Sequence, residues 1–535
     1  MLEGMLQQVR PEVLNNHLSC LETPHPSNTI SQEVQFSSFS ASTEGLEEAD
    51  ELSSKGGRAQ MSGNNDTTQT LPCQMPSPAI GSKLSKAYFE HVHTQYPFLH
   101  EATFRNWEER IMGNLDDTSV DPVVRFFVNI GFYASAQLYM DHVIQLDSIE
   151  SIQAILCCAM YSLRSPVGVS VSLSGLALRQ CIELGYHRSA RKFSLSLDPL
   201  RLEMRKRVFW CSYGIDRAAS MTLGRPFGIP DQEIDIEYPM DIDESLVAET
   251  GVCREARTCP AEPPTTMSAA IHTFRLRRIW SQIHISLYSS SDVKGHHDST
   301  TAAKIESLFN ELTDWRDTTP PQRLTDTTLS VFDSYIWFNL AYNHSILLLY
   351  RGQLTRHYTL SDPKPVDTFI QCSRAAQEIC LEYRRIYIKQ PVSYTWGALN
   401  ILFLADLTYL HCLWTSPEIH DTTRQDEISS TCTACTMVLV VLAERWEQAA
   451  PYRDIFEALA SKTMSMIVDK HRELWMIAEA PVIVQQGPNL SLSNETAQWV
   501  TDIADVGMSD GIESLLTGLV YDFRTEDFGQ GQTDF

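Results

Sequence analysis

The stretch R-K-R-V-F-W-C-S-Y-G-I-D-R-A-A-S-M-T-L-G-R-P-F-G-I-P, residues 205–230, reads as one long helix that ends in a sharp turn. Apolar side chains recur with the 3,4,3 spacing of a buried helix face at Val208, Cys211, Ile215 and Ala218. Gly224 can adopt backbone angles closed to other residues, and Pro226 fixes the chain after Arg225. We therefore predict that the helix stops at this turn and that the next residues fold back over the domain.

A pair of opposite charges is expected on the outside of this helix. Glu203 lies four residues before Arg207, the spacing at which side chains are neighbours on a helix surface. We predict that both face solvent.

Helical periodicity recurs along most of the chain. Near the beginning of the periodic region, Leu84, Tyr88 and Val92 form a stripe that Pro97 closes. Long segments with an apolar stripe follow at 271–288, 331–350, 394–414 and 432–446. Because strand signals are nearly absent, the sequence predicts an all-α fold, a large multi-helix domain.

Composition divides the chain into three parts. Residues 1–82 are polar, without a sustained apolar period, and are predicted to be a disordered leader. Residues 83–480 are predicted to be the helical domain, with a polar, Pro-rich loop near 253–266. Residues 481–535 form a tail in which acids alternate with large apolar residues, a composition typical of segments that fold on a partner.

Charge and cysteine usage restrict the function. The 42 Lys and Arg against 67 Asp and Glu give a net charge of −25, which repels phosphate and makes nucleic acid a poor partner for the chain alone. The 13 cysteines, several within apolar stretches, are typical of buried thiols in a reducing compartment, so we expect an intracellular protein. The most apolar run, 398–414, carries Asp406 at its centre, and no membrane span is expected.

Four acids at alternate positions follow the turn, at Asp231, Glu233, Asp235 and Glu237. A calcium loop of the EF-hand type beginning at Asp231 would need Gly and Glu where Ile236 and Ile242 stand. In an extended segment the acids share one side and Ile234 and Ile236 the other. We therefore interpret the acids as a solvated face and not as metal ligands.

Other candidate metal and catalytic residues are weak. His91, His93 and His100 do not share one helix face, so they are not expected to bind a metal together. The C-x-x-C pair Cys432 and Cys435 lies in a buried-looking helix with no second pair nearby. We therefore interpret these two thiols as small hydrophobic residues.

The acids of D-D-T-S-V-D, residues 116–121, allow one enzymatic alternative. In a helical metal-dependent enzyme, Asp116 and Asp117 would hold magnesium-bound diphosphate. Pro122 follows at once, however, and the acids read as helix N-terminal caps. We expect no catalytic residues, no resident cofactor and no enzymatic activity.

Three segments, taken together, resemble the fungal-specific transcription factor domain, the helical middle region of fungal zinc-cluster regulators. Residues 88–104 (Y-F-E-H-V-H-T-Q-Y-P-F-L-H-E-A-T-F) resemble its opening, and 177–188 (A-L-R-Q-C-I-E-L-G-Y-H-R) resemble a helix that ends in a His-Arg step. Residues 203–239 resemble its most recognisable part, with V-F-W, a single Asp-Arg, the G-R-P turn and an acidic run that ends in Pro. The resemblance is dense over 84–240 and looser to about 480.

The resemblance implies that a set of polar and turn residues is scaffold, namely Arg207, Trp210, Asp216, Gly224, Arg225 and Pro226. In this interpretation Arg225 binds either Asp216 or the last carbonyls of the helix.

The chain departs from the family pattern in one respect. Family members usually carry an N-terminal six-cysteine cluster that binds zinc and places a helix in the major groove, but only Cys20 and Cys73 precede Cys157 here. DNA is therefore expected to be reached indirectly or through a missing N-terminal segment, and a truncated gene model would look the same.

The resemblance implies a transcription regulator that acts in the nucleus, with shuttling to the cytoplasm as an alternative, and that controls metabolic or secondary-metabolite genes. The partners it implies are other regulators or co-activators, a small-molecule effector and a homo- or heterodimer. Co-activator contacts are assigned to apolar residues of the tail, Leu515, Leu516, Leu519, Tyr521 and Phe523. The alternative is a partner that does not bind DNA and inhibits a zinc-cluster homologue.

Overall fold

A computed structural model of the chain describes most of the region between residues 78 and 478. The described ranges are 78–113, 121–129, 143, 146–162, 169–190, 198–259, 262–288, 299–323, 330–354, 365–389, 395–446 and 449–478. The tail residues assigned to co-activators and the pair Asp116 and Asp117 lie outside them.

Helices dominate the first half of the described chain, as the sequence predicts. They are α1 (Pro78–His91), α2 (Glu101–Gly113), α3 (Pro122–Asn129), α4 (Ile149–Ser162), α5 (Val169–Glu183) and α6 (Pro199–Leu223). Helix α1 begins inside the segment that composition assigned to the leader.

The boundaries of α6 follow from its end residues. The Asp198 carboxylate accepts a hydrogen bond from the backbone N–H of Arg201, and Pro199 occupies the first turn, where a missing N–H costs nothing. At the other end Gly224 adopts the left-handed conformation, with φ 62° and ψ 31°, and donates its N–H to the Ser220 carbonyl. This is the abrupt stop that the Gly-Arg-Pro sequence predicts.

The connection after α6 contains the described strands. Two 3-10 turns, Asp231–Glu233 and Glu244–Leu246, lie in an otherwise extended segment. Strands β1 (Val247–Ala248) and β2 (Gly251–Val252) then form a small antiparallel hairpin.

Helices also make up the second half, close to the predicted segments. They are α7 (Ser268–Ile283, continued by a π turn His284–Tyr288), α8 (Ser299–Asp317), α9 (Tyr335–Leu354, preceded by a 3-10 turn Val331–Asp333), α10 (Val366–Lys389), α11 (Trp396–Thr415), α12 (Pro417–Thr422), α13 (Gln425–Arg445) and α14 (Ala450–Ala478). Consecutive helices pack on each other from α9 to α11, and α13 packs against α10 and α14.

Two hydrophobic cores lie on either side of α6 and α7. The first contains the buried face of α6, including Val208 and Trp210, together with residues of α1 to α5. The second contains residues of α7 to α14. Helix α7 contributes Phe274 to the first core and Trp280 to the second, so α6 and α7 hold the two cores together.

Two described helices are long and apolar enough to cross a membrane by length and composition. Within Gly397–Thr415, 72% of the apolar window is buried inside the fold, and within Gln425–Glu444, 44% is buried. Both pack in the second core, and core helices pass the same test of length and composition.

Candidate functional site: a strap along helix α6

Residues 229–244, called the strap below, run back along α6 in the direction opposite to the helix. Side chains on one face of α6 bind the strap along its length. From the end of the helix towards its beginning, Arg217 and Tyr213 bind the start of the strap, Trp210 its middle, and Arg207 and Glu203 its end. Their spacing along the chain, by three or four residues, keeps these side chains on one face of the helix.

Arg217 holds the start of the strap. Its guanidinium donates to the Asp216 carboxylate at 2.7 Å, to the Ile229 carbonyl and to the Asp231 carboxylate at 3.1 Å. The rings of Tyr213 and Phe227 lie 4.1 and 4.3 Å from it, so the buried cation is also covered by aromatic faces.

Asp216 completes this cluster. Its carboxylate also accepts the backbone N–H of Gly228 at 3.2 Å. Burial raises the pKa of Asp216, and the charge of Arg217 opposes that rise. A Cβ at position 228 would lie 2.9 Å from Leu178 and 3.3 Å from the Asp216 carboxylate, so glycine permits the close approach.

Trp210 holds the middle of the strap. Its indole N–H donates to the Glu237 carbonyl at 3.0 Å, and its ring stacks on Tyr238 with 4.3 Å between centroids. The Tyr213 hydroxyl donates to the Asp231 carboxylate at 2.9 Å.

Buried charges hold the end of the strap. The Glu203 carboxylate accepts the backbone N–H of Met240 at 2.6 Å, and Arg207 donates to Glu244 at 2.7 Å. His93 Nε2 lies 3.0 Å from the other Glu244 oxygen and donates there, because an ionised carboxylate only accepts. Burial would raise the pKa of Glu244, but His93 and Arg207 outweigh it and hold this pKa well below its usual range.

The prediction that Glu203 and Arg207 face solvent is wrong. Their exposed fractions are 1% and 0%. The spacing of opposite charges on a helix is usually a surface pattern, but here the strap covers this face, and each side chain binds the strap.

The prediction of a solvated acidic face is wrong for three of the four acids. Asp231 binds Arg217 and Tyr213, as described above. Asp235 accepts the backbone N–H of Ser189 at 2.7 Å and pairs with Arg188 at 3.1 Å, and Glu237 accepts the Ser189 hydroxyl at 2.8 Å. Glu233 is exposed. The carboxylates are anchors for the strap, and none belongs to a described group with metal-ligand geometry.

The strap also binds the His-Arg step that follows α5. The His187 carbonyl accepts the backbone N–H groups of Asp235 and Ile236 at 3.1 and 3.2 Å. Ile236 is buried and Ile234 packs against the first core, so the apolar side of the strap faces inwards as predicted.

The structure brings together some of the predicted scaffold residues. Arg207, Trp210 and Asp216 are buried on α6, whereas Gly224, Arg225 and Pro226 form an exposed turn. The guanidinium of Arg217 binds Asp216, and the backbone N–H of Arg225 donates to the Ser220 carbonyl at 2.9 Å.

Sequence reasoning missed Arg217, Glu244 and His93 as members of this network. Glu244 lies 37 residues after Arg207 and His93 lies 151 residues before Glu244, so no local spacing indicates either contact. Of the other two histidines, His100 contacts the Thr103 hydroxyl at 2.8 Å through Nδ1, and the His91 carbonyl accepts the Ser330 hydroxyl at 2.7 Å.

A cavity of about 140 Å³ lies beside the end of the strap. Helices α2, α4 and α6 line it, and its wall combines apolar and charged side chains, among them His100, Phe104, Trp107, Glu150, Arg201 and Met204. His100 connects it to the buried charges, since burial lowers the pKa of His100 while the charge of Glu244 acts against this shift.

Comparison with known families agrees with the resemblance noted in the sequence. Residues 114–317 match the family described as the fungal specific transcription factor domain. This range contains α3 to α8 and the strap. Residues 114–317 are therefore similar to this domain, and the relatives described next are named as regulators or activators.

Three relatives illustrate the range of similarity. The "Positive regulator of purine utilization" of Emericella nidulans is 22% identical over 502 residues, covering 73% of this chain and 47% of that protein. The "Pyrimidine pathway regulatory protein 1" of Saccharomyces cerevisiae is 26% identical over 370 residues, covering 68% and 39%. The "Transcriptional activator protein acu-15" of Neurospora crassa is 28% identical over 182 residues, covering 34% and 19%.

The chain thus spans about half or less of the length of these relatives. No solved structure matches it.

Proposed function

We propose that this chain is a pathway-specific regulator of transcription that acts in the nucleus on genes of metabolism. The observation that carries the proposal is the match of residues 114–317, the region that contains the strap, to the fungal specific transcription factor domain. Two relatives are named for purine utilization and for the pyrimidine pathway, which favours metabolic genes as targets.

In this proposal the helical domain receives the signal. The cavity beside the end of the strap is the site for a small-molecule effector, because it combines apolar walls with Glu150, Arg201 and His100 as polar contacts. An effector there touches Met204 on α6, three residues before Arg207. Binding would therefore act on the same helix that holds the strap.

The output of the proposed regulator lies outside the described residues. The tail, with Leu515, Leu516, Leu519, Tyr521 and Phe523 among acids, contacts co-activators or other regulators. Because the net charge of −25 opposes contact with phosphate, DNA is reached through a partner, including a second copy or a homologue.

The test of the regulatory role combines gene deletion with a tethered fusion. Deleting the gene is expected to change the transcripts of one metabolic pathway, and a fluorescent fusion is expected to accumulate in the nucleus. The full chain fused to a heterologous DNA-binding domain should raise reporter output, and removal of residues 500–535 should abolish the rise. Reporter output below that of the DNA-binding domain alone would instead indicate an inhibitory partner, and no transcript change would contradict a regulatory role.

The effector site has its own test. Purine and pyrimidine bases are screened for an increase in the melting temperature of the purified chain, as expected for a ligand that binds only the folded state. Thr103→Tyr, which fills the cavity, should abolish the increase, whereas Thr433→Tyr on an exposed part of α13 should retain it. An increase that survives Thr103→Tyr would place the effector elsewhere.

A further inference from the structure

Three side chains from three helices meet in the second core. Cys380 of α10, Asp406 of α11 and Cys435 of α13 bring their sulfur and carboxylate atoms within 4.8 Å of one another. Their exposed fractions are 0%, 1% and 1%. The Cys380 thiol donates to Asp406 Oδ1 at 3.1 Å.

Burying the carboxyl group of Asp406 at this position costs free energy. Its Oδ2 atom is buried and has no hydrogen-bond partner within the part of the chain that the structure describes. Burial raises the pKa of Asp406 to about 7, and hydrogen bonds from the two thiols offset only part of this rise. A buried carboxylate is normally paired with a cation or bound to a metal.

We propose that Cys380, Asp406 and Cys435 bind a thiophilic divalent cation, with Zn²⁺ as the natural occupant. Two thiolates and a carboxylate are ligands that zinc takes in proteins, at about 2.3 Å for sulfur and about 2.0–2.2 Å for oxygen. Tetrahedral coordination at these lengths separates ligand atoms by roughly 3.3–3.8 Å. The Cys380 sulfur lies 3.1 Å from Asp406 Oδ1, and the three ligand atoms lie within 4.8 Å of one another, so side-chain movements of about 1 Å would bring them to that spacing.

Charge balance is compatible with a buried site. Binding releases the protons of both thiols, and that of the carboxyl group where it is protonated, to solvent. Three anionic ligands around Zn²⁺ leave a net charge of −1, the same as in structural sites with three cysteines and one histidine. Because protons compete with the metal for both thiolates, metal uptake should weaken as the pH falls.

Cys432 is the candidate for a fourth ligand, and its thiolate would change the net charge of the site from −1 to −2, as in structural sites with four cysteines. It lies one turn before Cys435 on α13 and is 6% exposed. The site would tie α10, α11 and α13 together in the core. It is separate from the N-terminal six-cysteine cluster that the family resemblance implies, and it does not depend on the proposed regulatory role.

The metal content of the full chain tests the proposal directly. Protein purified and dialysed against a weak chelator is expected to retain about one zinc per chain by elemental analysis. Replacement by Co²⁺ should produce the sulfur-to-cobalt charge-transfer absorption of a thiolate site. Absence of bound zinc, together with no uptake of Zn²⁺ or Co²⁺ when the chain is refolded with either ion, would overturn the proposal.

Matched cysteine variants locate the metal. Cys380→Ser and Cys435→Ser should each lose the zinc and the cobalt absorption. Cys372→Ser on α10 and Cys412→Ser on α11 remove equally buried thiols, each 0% exposed, and should retain both signals. If all four variants lose the zinc, the cobalt spectrum of the wild-type chain decides: thiolate absorption supports the proposal, and its absence contradicts it. Equal zinc retention in all four would contradict the assignment.

Discussion

Arg207 and Glu244 form a buried ion pair, with 2.7 Å between Nη1 and Oε1, across 37 residues of chain. The pair joins the middle of α6 to the end of the strap, and His93 binds the second oxygen of the same carboxylate. A charge at the centre of a protein is tolerated only when it is compensated. The fixed path of the strap therefore depends on this pair.

Replacing Arg207 by Met should lower the free energy of unfolding by about 3–5 kcal/mol, because Glu244 is left buried with His93 alone. The double variant Arg207→Met, Glu244→Gln should recover part of the loss. Denaturant unfolding measures both values.

The control for this experiment is Arg179→Met. Arg179 pairs with Glu183 at 3.0 Å on the exposed face of α5, and such pairs contribute about 0.3–0.5 kcal/mol. An equally small effect of Arg207→Met would show that the ion pair does not hold the strap.

Trp210→Phe should lower stability by about 1–3 kcal/mol, because the Glu237 carbonyl loses its indole donor. Hydrogen exchange should become faster in the strap and stay unchanged in α13. Trp414→Phe is the matched control, since that indole donates to Thr463 at 3.0 Å in the second core. Faster exchange of the strap in both variants would argue against a local role for Trp210.

Gly224→Ala should cost about 1–2 kcal/mol, because a Cβ disfavours the left-handed conformation at φ 62°. Gly224→Asn should cost less, since asparagine tolerates this region better. Thermal unfolding of the two variants side by side gives the ranking. If alanine were tolerated as well as asparagine, the turn would not require its left-handed cap.

Acid should destabilise the second core through His344. Burial, with the charge of Arg277 added, lowers the pKa of His344 from 6.5 to about 3. The folded state keeps the neutral ring while the unfolded state takes up a proton, so the contribution of His344 is complete above pH 6.5. It is lost by about 1.4 kcal/mol per pH unit as the pH falls towards 3.

The variant His344→Gln tests this dependence. Burial lowers the pKa of His272 to about 3 as well. Both histidines therefore contribute to the slope of the unfolding free energy against pH in the wild-type chain. The variant should lose the contribution of His344 and keep that of His272. Unfolding free energies at pH 7, 6 and 5 give the two slopes. An unchanged slope would mean that His344 is protonated equally in both states.

Local patterns predicted the helices and the turn, because the residues that decide them are near each other in the chain. The stripe that includes Val208 and Cys211 lies in the first core, and Gly224 ends the helix where the sequence places the stop. The environment of Glu203 and Arg207 depends instead on the strap. A rule based on spacing alone therefore assigned both to the surface.

The cluster in the second core was missed for a related reason. Cys435 was recognised only with Cys432 as a C-x-x-C pair, and both were interpreted as hydrophobic residues. Its contacts with Cys380 and Asp406 come from two other helices. Asp406 was noted only as a charge that argues against a membrane span, and the structure shows that it lies 3.1 Å from a thiol.

The antiparallel course of the strap constrains how related chains can differ in length. Five side chains of α6 bind five points between Ile229 and Glu244, in antiparallel order from Arg217 to Trp210, after which Glu203 binds Met240 and Arg207 binds Glu244. Inserting or deleting one residue there would shift every later point out of reach of its partner. Gaps in an alignment of homologues should therefore fall after the β1–β2 hairpin, in the loop before α7, and spare the strap.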